Sequence, residues 1–183
     1  MTIVVLAAGF SSRMEGKNKL LLPYHGKEML LSAIEAALST GFNVLVVTGH
    51  DRDRIKRILP HSVAEVYNSE YAQGQNTSIR AGIKAAEDDV LIAPGDLPKL
   101  KKEDYFSVAE ELRHHPAVRL VHEGQPGHPV GIRKDLAQRI LKEEITDVKS
   151  FLKANGLIQK EGSIDCLTDI DTPQAYSTLI SER

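Results

Sequence analysis

The sequence predicts an α/β protein: one domain in three layers, with a mostly parallel sheet covered by helices on both faces. Three observations lead there. Apolar, β-branched runs of strand length recur along the chain, and segments with helical spacing separate them. These runs are near-continuous rather than alternating, as in strands covered on both sides. Several end in small or polar turns, the position at which parallel sheets bind ligands. Repeated strand–helix units then imply right-handed crossovers.

The first strand is the run at 3–7. Leu30, Leu31, Ile34, Ala37 and Leu38 fall at helical spacing, and Gly41 follows as a stop. A second strand at 44–47 ends at Thr48-Gly49-His50, and a short charged helix over about 53–59 closes before Pro60. The third strand is placed at 63–67, and Ile79, Ile83 and Ala86 mark one face of the next helix. The fourth, at 90–93, stops at Pro94-Gly95-Asp96-Leu97-Pro98, whose prolines cannot continue a ladder and so present Asp96 at the strand's end. A helix over about 102–114 leads to a strand at 118–121, a turn from Glu123 to Pro129, and a strand at 130–132. Helices at about 134–141 and 148–154 precede a last strand around 164–167. Thr172-Pro173 opens the terminal helix with an N-cap hydroxyl and a proline at the first helical position. The turns after strands one, two and four are expected to converge on one crevice.

A chain of 183 residues can bury about 70% of its unfolded surface. With 42% apolar and 26% charged residues, its composition is that of an ordinary globular protein. A formal charge of −2 gives no global basic field, which disfavours extended nucleic-acid or anionic-membrane binding. The cluster Arg52, Arg54, Lys56 and Arg57 reads as a solvated helix face balanced by Asp51 and Asp53. Cys166 is the single cysteine, which excludes an intrachain disulfide and a thiolate metal cluster. The first apolar run is too short for a signal-peptide core, and no stretch approaches the ~18 apolar residues of a membrane span. The expected location is the cytoplasm.

The first turn, Ala7-Ala8-Gly9-Phe10-Ser11-Ser12-Arg13-Met14, carries the most chemistry. Small residues let backbone N–H groups approach a phosphate or base edge, and Arg13, Lys17 and Lys19 bring positive charge. It is not a P-loop: six residues separate Gly9 from Gly16, and Lys17-Asn18 follows. Ser11 stands where a dinucleotide fingerprint needs its second glycine, and Arg13 stands where a nucleophile elbow needs one. Cations from one loop and a carboxylate at another strand's end suggest a phosphate with Mg²⁺, an ion bound by one or two carboxylates, phosphates and water. Asp96 can be such a ligand, with Asp169 or Asp171 as a second. Each has a structural alternative: Asp96 as a turn residue bonding its own backbone, Asp171 as a helix cap. His122 and His128 lack further partners at zinc-ligand spacing.

The motif Leu6-Ala7-Ala8-Gly9-x-x-x-Arg13-Met14, followed by Lys19-Leu20-Leu21-Leu22-Pro23, resembles the signature of the MobA-like nucleotidyltransferases. Within them it is most similar to the molybdenum cofactor cytidylyltransferases. The similarity continues through Asn68, Tyr71, Gly74 and Ala81-Gly82-Ile83, then Gly95-Asp96-Leu97-Pro98, Gly127-His128-Pro129-Val130 and Asp169-Ile170-Asp171-Thr172-Pro173. The resemblance implies one domain over 1–183 with a Rossmann-like fold of the nucleotide-diphospho-sugar transferase type. It implies transfer of CMP from CTP to the phosphate of molybdopterin, giving molybdopterin cytosine dinucleotide and pyrophosphate. By the same resemblance Arg13, Lys19 and Asp96 are the catalytic group, and Mg²⁺ sits on Asp96 and Asp171. Leu6, Ala7, Ala8, Gly9 and Gly95 border the nucleotide, Thr48, Asn68, Gly74 and Ser78 help form the base and ribose pocket, and Gly127, His128 and Pro129 face the acceptor. A molybdenum hydroxylase is the implied protein partner. Three departures stand out: Glu15 in place of a glycine, Gln75-Asn76-Thr77 in place of Met-Ser-Ser, and Thr146-Asp147-Val148-Lys149 in place of a Gly-Asp-x-Gly-like stretch. Ser78 and Gly82 also read as a helix start and a packing residue. Two other functions remain open, a guanylyl or other nucleotidyltransferase with a different phosphate acceptor, and a non-catalytic carrier of the pterin cofactor. Retention of Lys19 together with Asp96 argues against the carrier.

Overall fold

The computed structural model describes residues 1–167 and 169–181. β1 (Thr2–Ala7) is buried along its whole length, as a two-faced apolar run must be in a central strand. A long loop follows, then a 3-10 turn at Lys19–Leu21 and a small hairpin, β2 (Pro23–Tyr24) and β3 (Lys27–Glu28). α1 (Met29–Leu38) buries Met29, Leu30, Ala33, Ile34 and Ala37, one apolar stripe, and Gly41 at φ 76° turns the chain beyond it. β4 (Asn43–Thr48), α2 (Arg52–Ile58), β5 (Ala64–Tyr67), α3 (Gln75–Ala85) and β6 (Val90–Pro94) come next. The second half comprises α4 (Lys102–Glu111), β7 (Ala117–His122), β8 (Gln125–Ile132), α5 (Lys134–Lys142), α6 (Val148–Ala154), β9 (Leu157–Glu161) and α7 (Pro173–Ser181).

The seven-stranded sheet has the order β5-β4-β1-β6-β8-β7-β9. β1 pairs in parallel with both β4 and β6, and β8 alone runs against its neighbours. Since β4 and β5 extend to one side of β1 and β6 to the other, the strand order reverses at β1. Parallel sheets open a ligand crevice at such a switch point, outside the strands' carboxyl ends. Two apolar layers cover the faces. One contains Leu30, Ile34, Ile55, Tyr105 and Leu112, the other Ile83, Leu136, Ile140 and Leu152. Met29, Ile170 and Leu179 form a smaller cluster that seats α7 on the hairpin, where Tyr176 donates to Pro23 O at 2.7 Å. Among the described residues no helix is long and apolar enough to cross a membrane.

Two predicted elements are corrected. The stretch Ile164–Leu167 is a 3-10 turn rather than the last strand, closed by Cys166 N–H donating to Ser163 O. The sheet position beside β7 is taken by β9, paired from Ala117–Leu157 to Val121–Glu161, a half-buried edge strand that accommodates polar residues. The predicted turn from Glu123 to Pro129 is also shorter. Glu123 and Gly124, at φ 50° and 77°, make a two-residue hairpin turn, and β8 begins at Gln125. The register between β7 and β8 shifts between Arg119 and Val121, whose partners are Val130 and Pro126. Residues 127–129 therefore fall opposite Leu120 alone, a bulge that accommodates Pro129.

Gly82 is a packing position. A Cβ there would collide with Val4 Cγ1, because α3 lies directly on β1. We expect Gly82→Ala to destabilise the fold by about 1–3 kcal/mol, a Tm loss of roughly 2–12 °C in thermal unfolding.

Candidate active site

The loop after β1 is held in place from below. Met14 and Leu20 are buried anchors, Ser11 Oγ accepts from the Lys19 amide at 3.2 Å, and Asn18 caps the 3-10 turn by accepting from Leu20 N–H at 3.1 Å. Asn18 also donates to Asp51 Oδ2 at 3.2 Å, tying this loop to the turn after β4. Glu15 adopts φ 52°, a left-handed conformation that a glycine would take without strain. These contacts deliver Lys19 to the carboxyl end of β6.

There Lys19 Nζ bonds Asp96 Oδ2 and, at 2.6 Å, Asp171 Oδ1. Arg13 reaches the other Asp171 oxygen at 2.8 Å. Asp96 is 7% exposed, and its Oδ1 is buried without a hydrogen-bond partner among the described residues. Burial alone would pull the Lys19 ammonium down, but Asp96 and Asp171 outweigh it and hold the ammonium above its ordinary range. Lys19 correspondingly holds the Asp171 carboxyl low. Burial, reinforced by the Asp171 and Asp96 charges, raises Asp169. Buried Ile170 sits between Asp169 and Asp171 and anchors both, while Thr172 caps α7 by accepting from Ala175 N–H at 3.1 Å.

This cluster joins two cavities. The first, of about 610 Å³, has Leu6, Ala8, Gly9 and Arg13 on one side and Gly74, with Gln75 and Ser78 of α3, on the other. Its mouth carries Phe10 and Tyr71, with ring centroids 5.3 Å apart. The second, of about 350 Å³, is lined by His128, Leu167, Asp169 and Asp171. Lys19, Gln75, Pro94 and Asp96 border both.

The structure thus brings together Leu6, Ala8, Gly9, Arg13, Lys19, Gly74, Ser78, Asp96, His128 and Asp171. It does not put every candidate side chain on these walls. Ala7 packs into the α1-side core. Thr48 is buried and its hydroxyl donates to Glu65 at 2.8 Å, within an ion pair with Arg52. Asn68 donates to Thr77 at 2.8 Å and Ser78 at 3.0 Å, supporting the start of α3 and facing a separate cavity. Gly95 lets the chain pass Leu30 and bond back to Leu6 O at 2.9 Å. Gly127 packs against Cys166, where a Cβ would meet the backbone oxygen at 2.7 Å, and Pro129 is buried.

No three His, Cys, Asp or Glu side chains among the described residues form a metal-binding set by themselves. A Mg²⁺ ion delivered with a triphosphate needs fewer protein ligands, and the orphaned Asp96 oxygen fits that role.

Residues 3–159 match the MobA-like NTP transferase domain. The chain belongs to that family. It is 31% identical over 180 residues to the molybdenum cofactor cytidylyltransferase of Escherichia coli strain K12, covering 96% of this chain and 93% of that one. A nucleotidyl transferase from Methanothermobacter superposes with a TM-score of 0.84 at 26% identity, covering 98% and 95% of the two chains. The molybdopterin-guanine dinucleotide biosynthesis protein A of Archaeoglobus fulgidus shares the fold, with a TM-score of 0.76 at 16% identity and coverage of 99% and 97%. This MobA-like chain is a nucleotidyltransferase. Gln75 and Asp169 are among the wall residues that the sequence left without a firm role, Gln75 being visible there only as a departure from Met-Ser-Ser.

Proposed function

We propose that this MobA-like enzyme transfers CMP from CTP to the phosphate of molybdopterin, releasing pyrophosphate with a divalent cation, Mg²⁺, as cofactor. The observation that carries the reading is Lys19 held between Asp96 and Asp171 at the junction of two cavities. One cavity then takes the nucleotide and the other the phosphate end of the acceptor. The two-cavity arrangement supports direct displacement. An acceptor phosphate oxygen attacks the α-phosphorus, one P–O bond forms, and the bond to the bridging α–β oxygen breaks as pyrophosphate leaves.

Lys19 and Arg13 act by preorganised charge on the α-phosphate and the departing pyrophosphate, where negative charge grows. Asp96 and Asp171 would hold the cation, which neutralises phosphate charge and fixes geometry when bound. With substrate present, triphosphate oxygens replace Asp171 as partners of Arg13, whose side chain is 69% exposed and free to swing. Leu6, Ala8 and Gly9 present backbone at the base edge, and the Ala7-Ala8-Gly9 motif supports CTP by resemblance. No covalent enzyme intermediate is needed, so catalysis is positioning plus electrostatics.

The test is a screen of the four NTPs with Mg²⁺ and molybdopterin, read as pyrophosphate release and product mass. Release is expected with CTP and only when all three components are present. Faster turnover with GTP would overturn the base assignment. Tight binding of the dinucleotide with no turnover under any NTP would mark a carrier instead.

A further inference from the structure

A third cavity, of about 260 Å³, continues from the other two between the sheet and α6. It shares Leu6 and Gln75 with the nucleotide cleft and Pro126 and His128 with the acidic one. Its walls combine apolar side chains, among them Ile92, Val130 and Leu152, with the amides Gln75 and Asn76, and Arg119 enters it from β7 and Lys149 from α6. No carboxylate lines it among the described residues.

Arg119 is anomalous. It lies one position along the β7 face from buried Ala117, in the layer covered by α5 and α6, and its Nε is buried without a partner. No hydrogen bond or ion pair engages its guanidinium among the described residues. Burial pulls its pKa down, with no opposing carboxylate. The neighbouring His128 supplies no countercharge: burial and the Arg119 charge push its imidazole down to about 4, so it is neutral near pH 7, and its Nδ1 is also buried and unpartnered. Arg119 is only partly buried, but its Nε is shut off from water without an acceptor, an arrangement that costs free energy until a hydrogen-bond acceptor is supplied there. The bulge opposite Leu120 adds an independent sign, since bulges re-aim side chains beside active sites.

We propose that Arg119 reads the end of the acceptor remote from its reacting phosphate, through two adjacent hydrogen-bond acceptors on a planar heterocycle. The fork of a guanidinium matches a ring carbonyl oxygen beside a ring nitrogen, and the aliphatic side chains of Ile92, Val130 and Leu152 suit the rest of the ring. Lys149, Gln75, Asn76 and the unpartnered His128 Nδ1 complete the polar groups around the slot. The inference rests on the nucleotidyl-transfer reading for the acceptor's other end only.

The probe is 6-hydroxymethylpterin, whose own fluorescence reports binding, titrated into the full chain and into Arg119→Met and Arg119→Lys. Saturable binding by the wild type is expected, weakened at least tenfold in Arg119→Met and to a lesser degree in Arg119→Lys, with CTP affinity unchanged in both. Thermal unfolding of Arg119→Met should be unchanged or raised, because a partly buried cation with an unpartnered Nε is removed. Equal pterin affinity in all three proteins, absence of saturable binding by the wild type, displacement by inorganic phosphate alone, or a Tm fall of the kind a structural arginine gives would each overturn the proposal. Pyrophosphate release from CTP with molybdopterin, followed in parallel, separates the two readings. Turnover with Arg119-independent pterin binding removes this subsite and leaves the reaction. Arg119-dependent binding without turnover under any NTP does the reverse.

Discussion

Asp96→Asn is expected to reduce nucleotidyl transfer about a thousandfold or more while the protein stays folded. An effect of that size corresponds to roughly 4 kcal/mol of transition-state stabilisation. The amide keeps the shape of the side chain and still offers one oxygen to Lys19. It removes the negative charge and turns one terminal atom into a donor, which no cation will ligate. The orphaned Oδ1, buried at the meeting of the two cavities, is the atom whose chemistry changes most. The fold tolerates the change because Asp171 still pairs with Lys19 and because Asp169 loses a repelling neighbour. Single-turnover rates with CTP and molybdopterin give the first reading, and Mn²⁺ titration in the presence of CTP gives the second. Retention of more than a tenth of the rate, or of undiminished Mn²⁺ affinity, would remove Asp96 from the reaction.

That Lys19 and Asp96 share one site was legible in the sequence, because Asp96 follows a strand end of a parallel sheet and Lys19 belongs to the cation-bearing loop and motif that follow β1. The buried apolar runs located β1, β4 and β6, and the prolines around Asp96 marked the last of these ends. Elements without periodicity were not legible. The hairpin Pro23–Tyr24 and Lys27–Glu28 is too short to alternate, although His25 and Gly26, at φ 48° and 81°, mark its turn. β9 reads as polar loop because an edge strand half-buried beside β7 needs no apolar run, whereas the more apolar Ile164–Leu167 is buried through Cys166 as a 3-10 turn.

Side-chain direction was the other limit. Thr48 and Asn68 stand at the expected strand ends, but Glu65 and the start of α3 claim their polar atoms. A resemblance between motifs fixes a residue's place along the chain and not the partner its side chain finds. Arg119 carried a signal that could have been used: one cation inside Ala-Val-Arg-Leu-Val, a run otherwise suited to a buried strand.

Lys19→Met is expected to lower kcat by about 10²–10³-fold, the cost of removing one preorganised positive group from developing phosphate charge. It should also lower stability near neutral pH, and the pH dependence of that loss identifies its cause. In the wild type Lys19 holds Asp171 below its ordinary 3.8, so the pairing stabilises the fold above that pH and is lost as pH falls through the depressed value. Lys19 itself is raised above 10.5, so its part is complete below that pH and is lost as pH climbs through the raised value. The variant leaves Asp96, Asp169 and Asp171 facing one another, with Arg13 still paired to Asp171, and Asp169 is raised already. Protonation of the raised Asp169 carboxyl relieves part of that repulsion, so the variant regains stability relative to the wild type as the pH falls into the acid range. Tm measured from pH 3 to pH 9 should therefore show the two proteins converging in acid and separating toward neutrality. A difference that stays constant across that range would mean that the lysine acts by packing its four-carbon stem, and the charge cluster would then have no part in holding the site together.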